Sequence, residues 1–470
     1  ATNRANAQPY SGPISGYTGQ LIGSNGFRND GVSREILIRR ASMNSHDWVG
    51  GISSLDIQAD KFRYSLGVDL RSYTGYHYRV LNDLMGLDGY YSTGNRNSAG
   101  LIIETEVAAD PFRNTGIRGP MIDYYNIGVV KWAGFNGLVE YNNDDKFTSV
   151  LQAGLSNQSY QRLDYFDQVG NPISEVQDSP GGYVKGGANL NLDANNNVFF
   201  NAGYISRQPL FDAVFPGFAN NINPDLQNEE ITSIEAGYGF ASSTFKLNAN
   251  VYSTVWGNRF ISRGFTLDGG TQGTAQFKDV DVLHQGIELE ATYYASPDFR
   301  LKGMVSAGDW RYTKDFTSEV FDDNNQKVGE GTIYIKDAKV GDAAQFVAYT
   351  EAMYRVGDLS FDLGYRFVDG LYADYSIVAS DFLTPDNDGA VKLPSYGLVD
   401  FGAMARFDLF GNNASFRVNI NNLFDTVYIA ESNTNIHATS GSQTWNGVDV
   451  RNSVWFGFGR TWNATLRVNL

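Results

Sequence analysis

The feature of this chain that most limits how it can fold is a strict alternation of apolar and polar residues over long stretches. Near the C-terminus Trp462, Ala464, Leu466, Val468 and Leu470 are apolar, while Asn463, Thr465, Arg467 and Asn469 are polar. Successive side chains of an extended strand point to opposite faces, so such a stretch is a strand with one greasy and one wet face. The pattern recurs at Phe416, Val418 and Ile420 against Arg417, Asn419 and Asn421, and at Phe245, Leu247, Ala249 and Val251 against Lys246, Asn248 and Asn250. It recurs again at Phe361, Leu363, Tyr365 and Phe367 against Asp362, Gly364 and Arg366, and at Val184, Ala188, Leu190 and Leu192 against Lys185, Asn189 and Asn191. Helical i, i+3, i+4 spacing is nearly absent.

Two architectures use such strands. A soluble sandwich buries the apolar face between two sheets. A membrane barrel turns that face to lipid and lines its lumen with polar groups. The connections separate them. Every second connection is short and built of turn residues: Ala59-Asp60-Lys61, Asn142 to Asp145, Asp193 to Asn197, Ser242-Ser243, Ser296-Pro297-Asp298, Gly357-Asp358 and Gly411-Asn412-Asn413. The connections between them are long, at about 79–122, 162–180, 207–228, 264–276, 313–340, 373–393 and 429–452. Short turns at one end and long loops at the other mark an outer-membrane barrel, and a globular domain rarely carries so many long loops. The strands run about 10 to 20 residues, enough to span a bilayer at a tilt. Tyr73, Tyr76, Tyr78, Tyr124, Tyr125, Tyr293 and Tyr294 gather near strand ends, where an interfacial aromatic girdle places them; aromatics are also simply good strand residues.

Composition excludes several function classes. No run of about 18 apolar residues occurs, so no transmembrane helix is expected. There is no cysteine, which removes disulfide scaffolds, thiolate zinc sites and thiol nucleophiles. The formal net charge is -16, and no basic face suited to nucleic acid is visible. That charge also disfavours an anionic ligand unless a local pocket overrides the mean. The chain starts at Ala1 without a signal-peptide pattern and is read as processed or truncated at its start.

The reading is therefore all-β: a transmembrane antiparallel β-barrel, with residues 1–43 an extracellular loop region and incoming strand and 44–470 the C-terminal part of the barrel. About fifteen strands are expected here; a 22-stranded transporter barrel with a plugged lumen would need about seven more. An open edge cannot be left unpaired in lipid, so this chain alone should not be the whole functional object.

Several stretches resemble the TonB-dependent receptor family. Asn201-Ala202-Gly203-Tyr204, Arg207-Gln208-Pro209-Leu210-Phe211, Asn223-Pro224-Asp225-Leu226-Gln227-Asn228-Glu229-Glu230 and Ser233-Ile234-Glu235-Ala236-Gly237-Tyr238 are similar to its Arg-x-Pro loop and returning Glu-x-Gly strand. Asn422-Leu423-Phe424-Asp425-Thr426-Val427-Tyr428 is similar to its Asn-Leu-Phe-Asp-x-x-Tyr. The C-terminal strand resembles the assembly signal of outer-membrane proteins, with Leu470 where Phe is usual. Asn25 to Gly31, Met43 to Trp48 and Tyr76 to Arg79 look like a branch of the family in Bacteroidetes-type bacteria. The resemblance implies energised import of a bulky nutrient, a glycan, a peptide or a metal chelate, through the cell outer membrane of a Gram-negative bacterium. It implies as partners the lipid of that membrane and a TonB complex acting on a plug outside this chain; a surface lipoprotein is a further candidate.

Glu235 shares the polar face with Ser233 and Gly237, and is expected to point into the lumen. There it meets either plug arginines, as the resemblance implies, or a neighbouring strand. Pro209 and Pro224 shape their loop, and Asn223 and Asp225 suit a turn. Candidate ligand contacts among the long loops are Tyr90, Tyr91, Phe211, Phe215, Phe218, Trp445 and Arg451, each also explained by loop packing. No catalytic residue, metal ligand or cofactor is expected. The four histidines, His46, His77, His284 and His437, lack the i, i+4 partner of a helical zinc site, and neither a P-loop nor a G-x-S-x-G elbow stands out. Asp322-Asp323-Asn324-Asn325 and Asp386-Asn387-Asp388-Gly389 could offer Ca²⁺ oxygen ligands, without EF-hand spacing. A passive porin, an outer-membrane enzyme and a structural subunit of an envelope assembly remain as rival functions.

Overall fold

A computed structural model describes residues 2–4, 21–23, 37–98, 100–108, 119–143, 146–224, 226–266, 272–322, 326–375 and 380–469. It is almost wholly β. In chain order its main strands are β1 (Leu37–Ala59), β2 (Phe62–Asp83), β3 (Met121–Asn143), β4 (Phe147–Asp164), β5 (Gln177–Asn191), β6 (Asn196–Arg207), β7 (Glu229–Ala241), β8 (Phe245–Thr266) and β9 (Gln272–Ser296). They continue with β10 (Phe299–Tyr312), β11 (Phe316–Asp322), β12 (Lys327–Ile333), β13 (Phe346–Val356), β14 (Leu359–Asp369), β15 (Tyr396–Leu409), β16 (Asn412–Asn421) and β17 (Thr461–Val468). With the short segment Thr2–Arg4 they make one 18-stranded sheet.

The wall is an antiparallel meander in which β1 to β10 pair in sequence and β10 then pairs with β13, β13 with β14, and so on to β17. The hairpin β11–β12 adds to the outer part of β9. Every residue of 46–59 in β1 and of 461–467 in β17 is exposed, on both faces, and no residue register joins these two strands among the described residues.

The seven turns expected from Asn, Asp, Ser, Pro and Gly clusters fall between consecutive wall strands, Asp144 and Asp145 of the second lying outside the described residues. Asp60 (φ 52) closes the first, Gly357 (φ 56) another, and both Phe410 (φ 55) and Gly411 (φ 83) are positive in a third. Two-residue hairpins need this left-handed geometry to follow the twist of the strands. One expected loop is mostly strand instead. Of 264–276, residues up to Thr266 and from Gln272 onward belong to β8 and β9, which are 22 and 25 residues long. Register shifts at Trp256/Arg259 and Arg259/Ile261, with Asn258 (φ 56) and Asp279 (φ 57) in the left-handed region, break the alternation that period-2 reading relies on. Pairing of β9 with β11 sustains the ladder beyond the membrane.

Wall strands have one apolar, exposed face: Leu151, Leu155, Val251, Ile287, Leu289, Leu363, Phe416 and Leu466 all stand exposed. A belt of this kind is stable against lipid, not water. The opposite face carries a polar ladder. Lys302 Nζ lies 2.8 Å from Glu290 Oε1, and Arg417 Nη2 2.8 Å from Asp362 Oδ1. Gly402 lies beneath the second pair, and a Cβ there would collide with both charged groups.

Closely packed apolar clusters lie at the loop end. Ala275, Phe277, Val280 and Val282 of β9 pack with Phe316, Ile333, Ile335, Tyr375 and Phe382. Ile38, Leu81 and Leu84 pack with Tyr90, Ile103 and Ile122, and Leu371, Ala373 and Leu393 with Ile429 and Val448. Two loops are also tied by a buried ion pair. Arg162 Nη1 donates to Asp164 Oδ2 at 2.9 Å and to Asn220 Oδ1 at 2.8 Å, and Asp164 Oδ1 accepts the Phe166 and Asp167 amides, both at 2.9 Å.

Leu289→Arg, in the lipid belt, is expected to destabilise the folded barrel by about 2–4 kcal/mol if it lies near the bilayer midplane. Ser306→Arg, opposite Glu288 on the lumen face, should change it far less; urea titration of the protein in vesicles measures both. Arg162→Ala strands a buried carboxylate and should loosen residues 162–176 and 208–222 by about 3–5 kcal/mol, read as faster protease cleavage confined to those loops.

Candidate functional site

The lumen face of β6 to β9 is a continuous hydrogen-bonded surface. Glu235 of β7 lies opposite Asn201 of β6. Its carboxylate accepts from Asn201 Nδ2 at 3.1 Å and from Asn250 Nδ2 at 2.9 Å. Asn250 Nδ2 also reaches Glu288 Oε2 at 3.3 Å. Arg207 closes the outer end of β6 on Glu229 at 3.0 Å. The wall can therefore offer carboxylates and amides to a group in the lumen, each already oriented by its neighbour.

Toward the mouth the same face becomes aromatic. Registers place Thr254 beside His284 and Trp256 beside Val282, with Trp310 on the far side of His284. Trp310 Nε1 donates to Tyr252 Oη at 3.0 Å, and its ring centre lies 5.7 Å from that of His284. The Arg259 guanidinium sits 5.8 Å from the Trp256 ring centre. Ser233 and Thr254 share a hydroxyl hydrogen bond of 2.7 Å. Tyr252, Trp256, Arg259, His284 and Trp310 are all half-buried. The sequence reading weighed loop residues as ligand contacts and so passed over this group, which lies on strands. Trp256 followed at three residues by Arg259 is visible in the sequence, but the face they share with His284 of β9 and Trp310 of β10 depends on strand register.

The loop residues weighed as ligand contacts are not gathered in one place. Tyr90 is 2 % exposed and packs with Ile38, Leu81 and Ile122, its hydroxyl 3.1 Å from Asp123 Oδ1. Tyr91 lies against Gly100. Phe215 is 2 % exposed beside Tyr160 and Val214, and Phe211 packs on it with ring centres 5.0 Å apart. Phe211 to Val214 form a single helical turn. The side chain of Phe218 lies outside the described residues. Trp445 meets Phe456 edge-on at 5.2 Å and leans on the Ile429 cluster. Arg451 keeps an exposed guanidinium but binds Asp449 through Nε at 2.9 Å and Nη2 at 2.8 Å. Those hydrogen bonds, with that from the Arg451 amide, hold the Asp449 carboxyl well below the usual carboxylate range.

The histidines are dispersed. His77 Nδ1 lies 2.8 Å from Asn44 Oδ1, and His437 Nε2 3.0 Å from the Gly389 carbonyl. Among the described residues no three His, Asp or Glu come together as metal ligands. In the Asp386 loop, Asn387 Nδ2 donates to the Tyr334 and Thr384 carbonyls at 2.9 Å, as a turn residue does. Asp323, Asn324 and Asn325 lie outside the described residues.

Comparison with known proteins agrees with this architecture. The copper transporter OprC superposes with a TM-score of 0.61 at 16% sequence identity, over 91% of this chain and 57% of that one. The ferric-catecholate import receptor Fiu from K12 E. coli, in its closed form, gives 0.56 at 15%, over 90% and 55%. The ferric citrate transporter FecA gives 0.56 at 10%, over 91% and 56%. These likenesses speak to the fold. The ferrioxamine B receptor of Salmonella typhimurium is 27% identical over 166 residues, which is 35% of this chain and 20% of that protein. The chain thus matches little more than half the length of the solved structures, and a fifth of the curated relative. A family model described as TonB dependent receptor-like, beta-barrel, matches residues 2–423. An antiparallel wall with a lipid belt outside, a polar ladder inside and folded loops at one end places this chain in the TonB-dependent receptor family, as part of its β-barrel.

Proposed function

We propose that this chain forms most of the wall of an outer-membrane receptor that imports a metal chelate with energy passed on by a TonB complex. The observation that carries this reading is the pairing of a lipid-facing belt with a polar lumen wall in a chain of this family. The curated relative is named a ferrioxamine B receptor, and the solved relatives import receptors or transporters for copper, ferric catecholates and ferric citrate. Those names favour a chelate over the glycan or peptide that sequence alone left open.

Closure of the cylinder falls to strands outside residues 37–468, which would cover the exposed sides of β1 and β17. A plug inside that cylinder would meet the carboxylates of Glu235 and Glu288. No nucleotide-binding loop is visible in the sequence, so the work of transport is assigned to a partner across the periplasm. Ligand would enter from the loop end, where Trp445 and Arg451 keep partly accessible side chains.

Deleting the gene from its host should lower accumulation of the cognate iron chelate under iron limitation. Collapsing the proton gradient in the wild type should lower it equally. Uptake that persists in de-energised cells would instead support the porin reading, and uptake unchanged by the deletion would contradict the assignment.

A further inference from the structure

The outward face of the wall changes character toward the loop end of β2 to β5. Val68, Phe135 and Leu155 lie side by side in register and are 43 %, 55 % and 75 % exposed, as a lipid belt requires. Four residues nearer the loops on the same face, about 13 Å along the strands, the row reads Ser72, Lys131, Ser159 and Asp178. Lys131 is exposed and, among the described residues, makes no hydrogen bond or ion pair. The carboxylates on this face are turned to other partners. Asp178 accepts from Asn157 Nδ2 at 3.0 Å and from the Ser159 hydroxyl, and Asp47 accepts from the Tyr76 hydroxyl at 3.0 Å. Lys185, Lys246, Arg366 and Arg467 also lack an ion pair among the described residues, but they stand next to Val184, Leu247, Tyr365 and Leu466 of the lipid face and so project into the lumen.

A lysine placed as Lys131 is runs its aliphatic stem along the apolar belt and leaves its ammonium at the polar boundary. There it attracts the phosphate of a lipid headgroup. The height of the polar surface says which kind of headgroup. Asn157, Ser159 and Gln161 keep the outward face of β4 polar over about 13 Å of strand, or about 10 Å along the membrane normal at the tilt of barrel strands. A phospholipid leaflet adds only about 5–7 Å of polar layer to its hydrocarbon. The groups on offer suit sugar hydroxyls: a carboxylate at Asp178, an amide at Asn157 and hydroxyls at Ser72 and Ser159.

We propose that Lys131, Ser72, Asn157, Ser159 and Asp178 form a docking site on the outside of the wall for a phosphorylated glycolipid of the outer leaflet. Its acyl chains continue down the belt over Phe135 and Leu155, its phosphate lies on Lys131, and its sugar lies against Asn157, Ser159 and Asp178. The site is continuous with the lipid belt and independent of whatever the lumen carries.

The test offers three lipids to the full-length receptor in detergent micelles: an acylated glucosamine disaccharide phosphate, its dephosphorylated form, and phosphatidylglycerol. Native mass spectrometry counts the molecules retained. Wild type should retain the phosphorylated glycolipid about tenfold or more over the dephosphorylated form, the margin of a hydrogen bond to a charged group, and also in preference to phosphatidylglycerol. Lys131→Gln should lower the phosphorylated glycolipid to the level of the dephosphorylated one. Asn157→Leu should lower it to the level of phosphatidylglycerol, and Lys185→Gln, on the lumen side, should change nothing. Folding of each variant is checked by heat-shifted gel mobility. Should Lys131→Gln not fold, a photoreactive phenylalanine analogue at position 131 in intact outer membranes decides, with the same analogue at position 185 as control: glycolipid adducts are expected at the first and none at the second. Equal retention of the two glycolipids by wild type, phosphatidylglycerol held as tightly as the phosphorylated glycolipid, a preference that survives Lys131→Gln, or adducts equal at the two positions would overturn the proposal. None of these results bears on transport, so failure here leaves the uptake reading to the cellular experiment.

Discussion

Hydrocarbon offers no hydrogen-bond partners, so each backbone N–H and C=O crossing a bilayer must find one within the protein. The fold of this chain follows from that demand. The long antiparallel registers from β1 to β17 satisfy the backbone strand by strand, and the pleat then sends alternate side chains outward and inward. Leu289 and Glu288, or Phe416 and Arg417, are adjacent in sequence yet stand on opposite sides of the wall. The same demand falls on β1 and β17, whose residues are exposed along 46–59 and 461–467.

Because the wall has no apolar interior, tight packing is displaced to the loop end. The clusters around Phe277, Tyr90 and Ile429 act as small cores for segments that would otherwise be long loops over water. The buried Arg162–Asp164 pair and the hydroxyl of Tyr160, which donates to the Pro209 carbonyl at 2.6 Å, link one loop to the next. Folded loops over a polar lumen leave the mouth of the wall lined by Tyr252, Trp256, Arg259, His284 and Trp310.

Much of the wall was legible from period-2 alternation and turn chemistry, since both are local and the membrane enforces them at every strand. Legibility ended where neighbours override local pattern. The bulges at Asn258 and Asp279 shift the phase of β8 and β9, and β11 extends their ladder, so residues read as a loop are strand. The loop aromatics show the same limit: Tyr90 and Phe215 are buried in loop cores, which depends on segments distant in sequence. Arg259, Trp256 and Trp310 share a face only through the register of three strands, which no window along the chain displays.

The central claim is that the two faces of these strands meet lipid and water. The chain has no cysteine, so single cysteines at Leu289, Val418, Leu466, Ser306 and Asn419 can each carry a spin label in bilayer-reconstituted protein. Collision rates with oxygen, which concentrates in lipid, and with a water-soluble nickel chelate report the surroundings of each label. The account predicts oxygen-accessible labels at Leu289, Val418 and Leu466 and nickel-accessible labels at Ser306 and Asn419. Labels at the first three sites shielded from both reagents, as between two packed sheets, would contradict it.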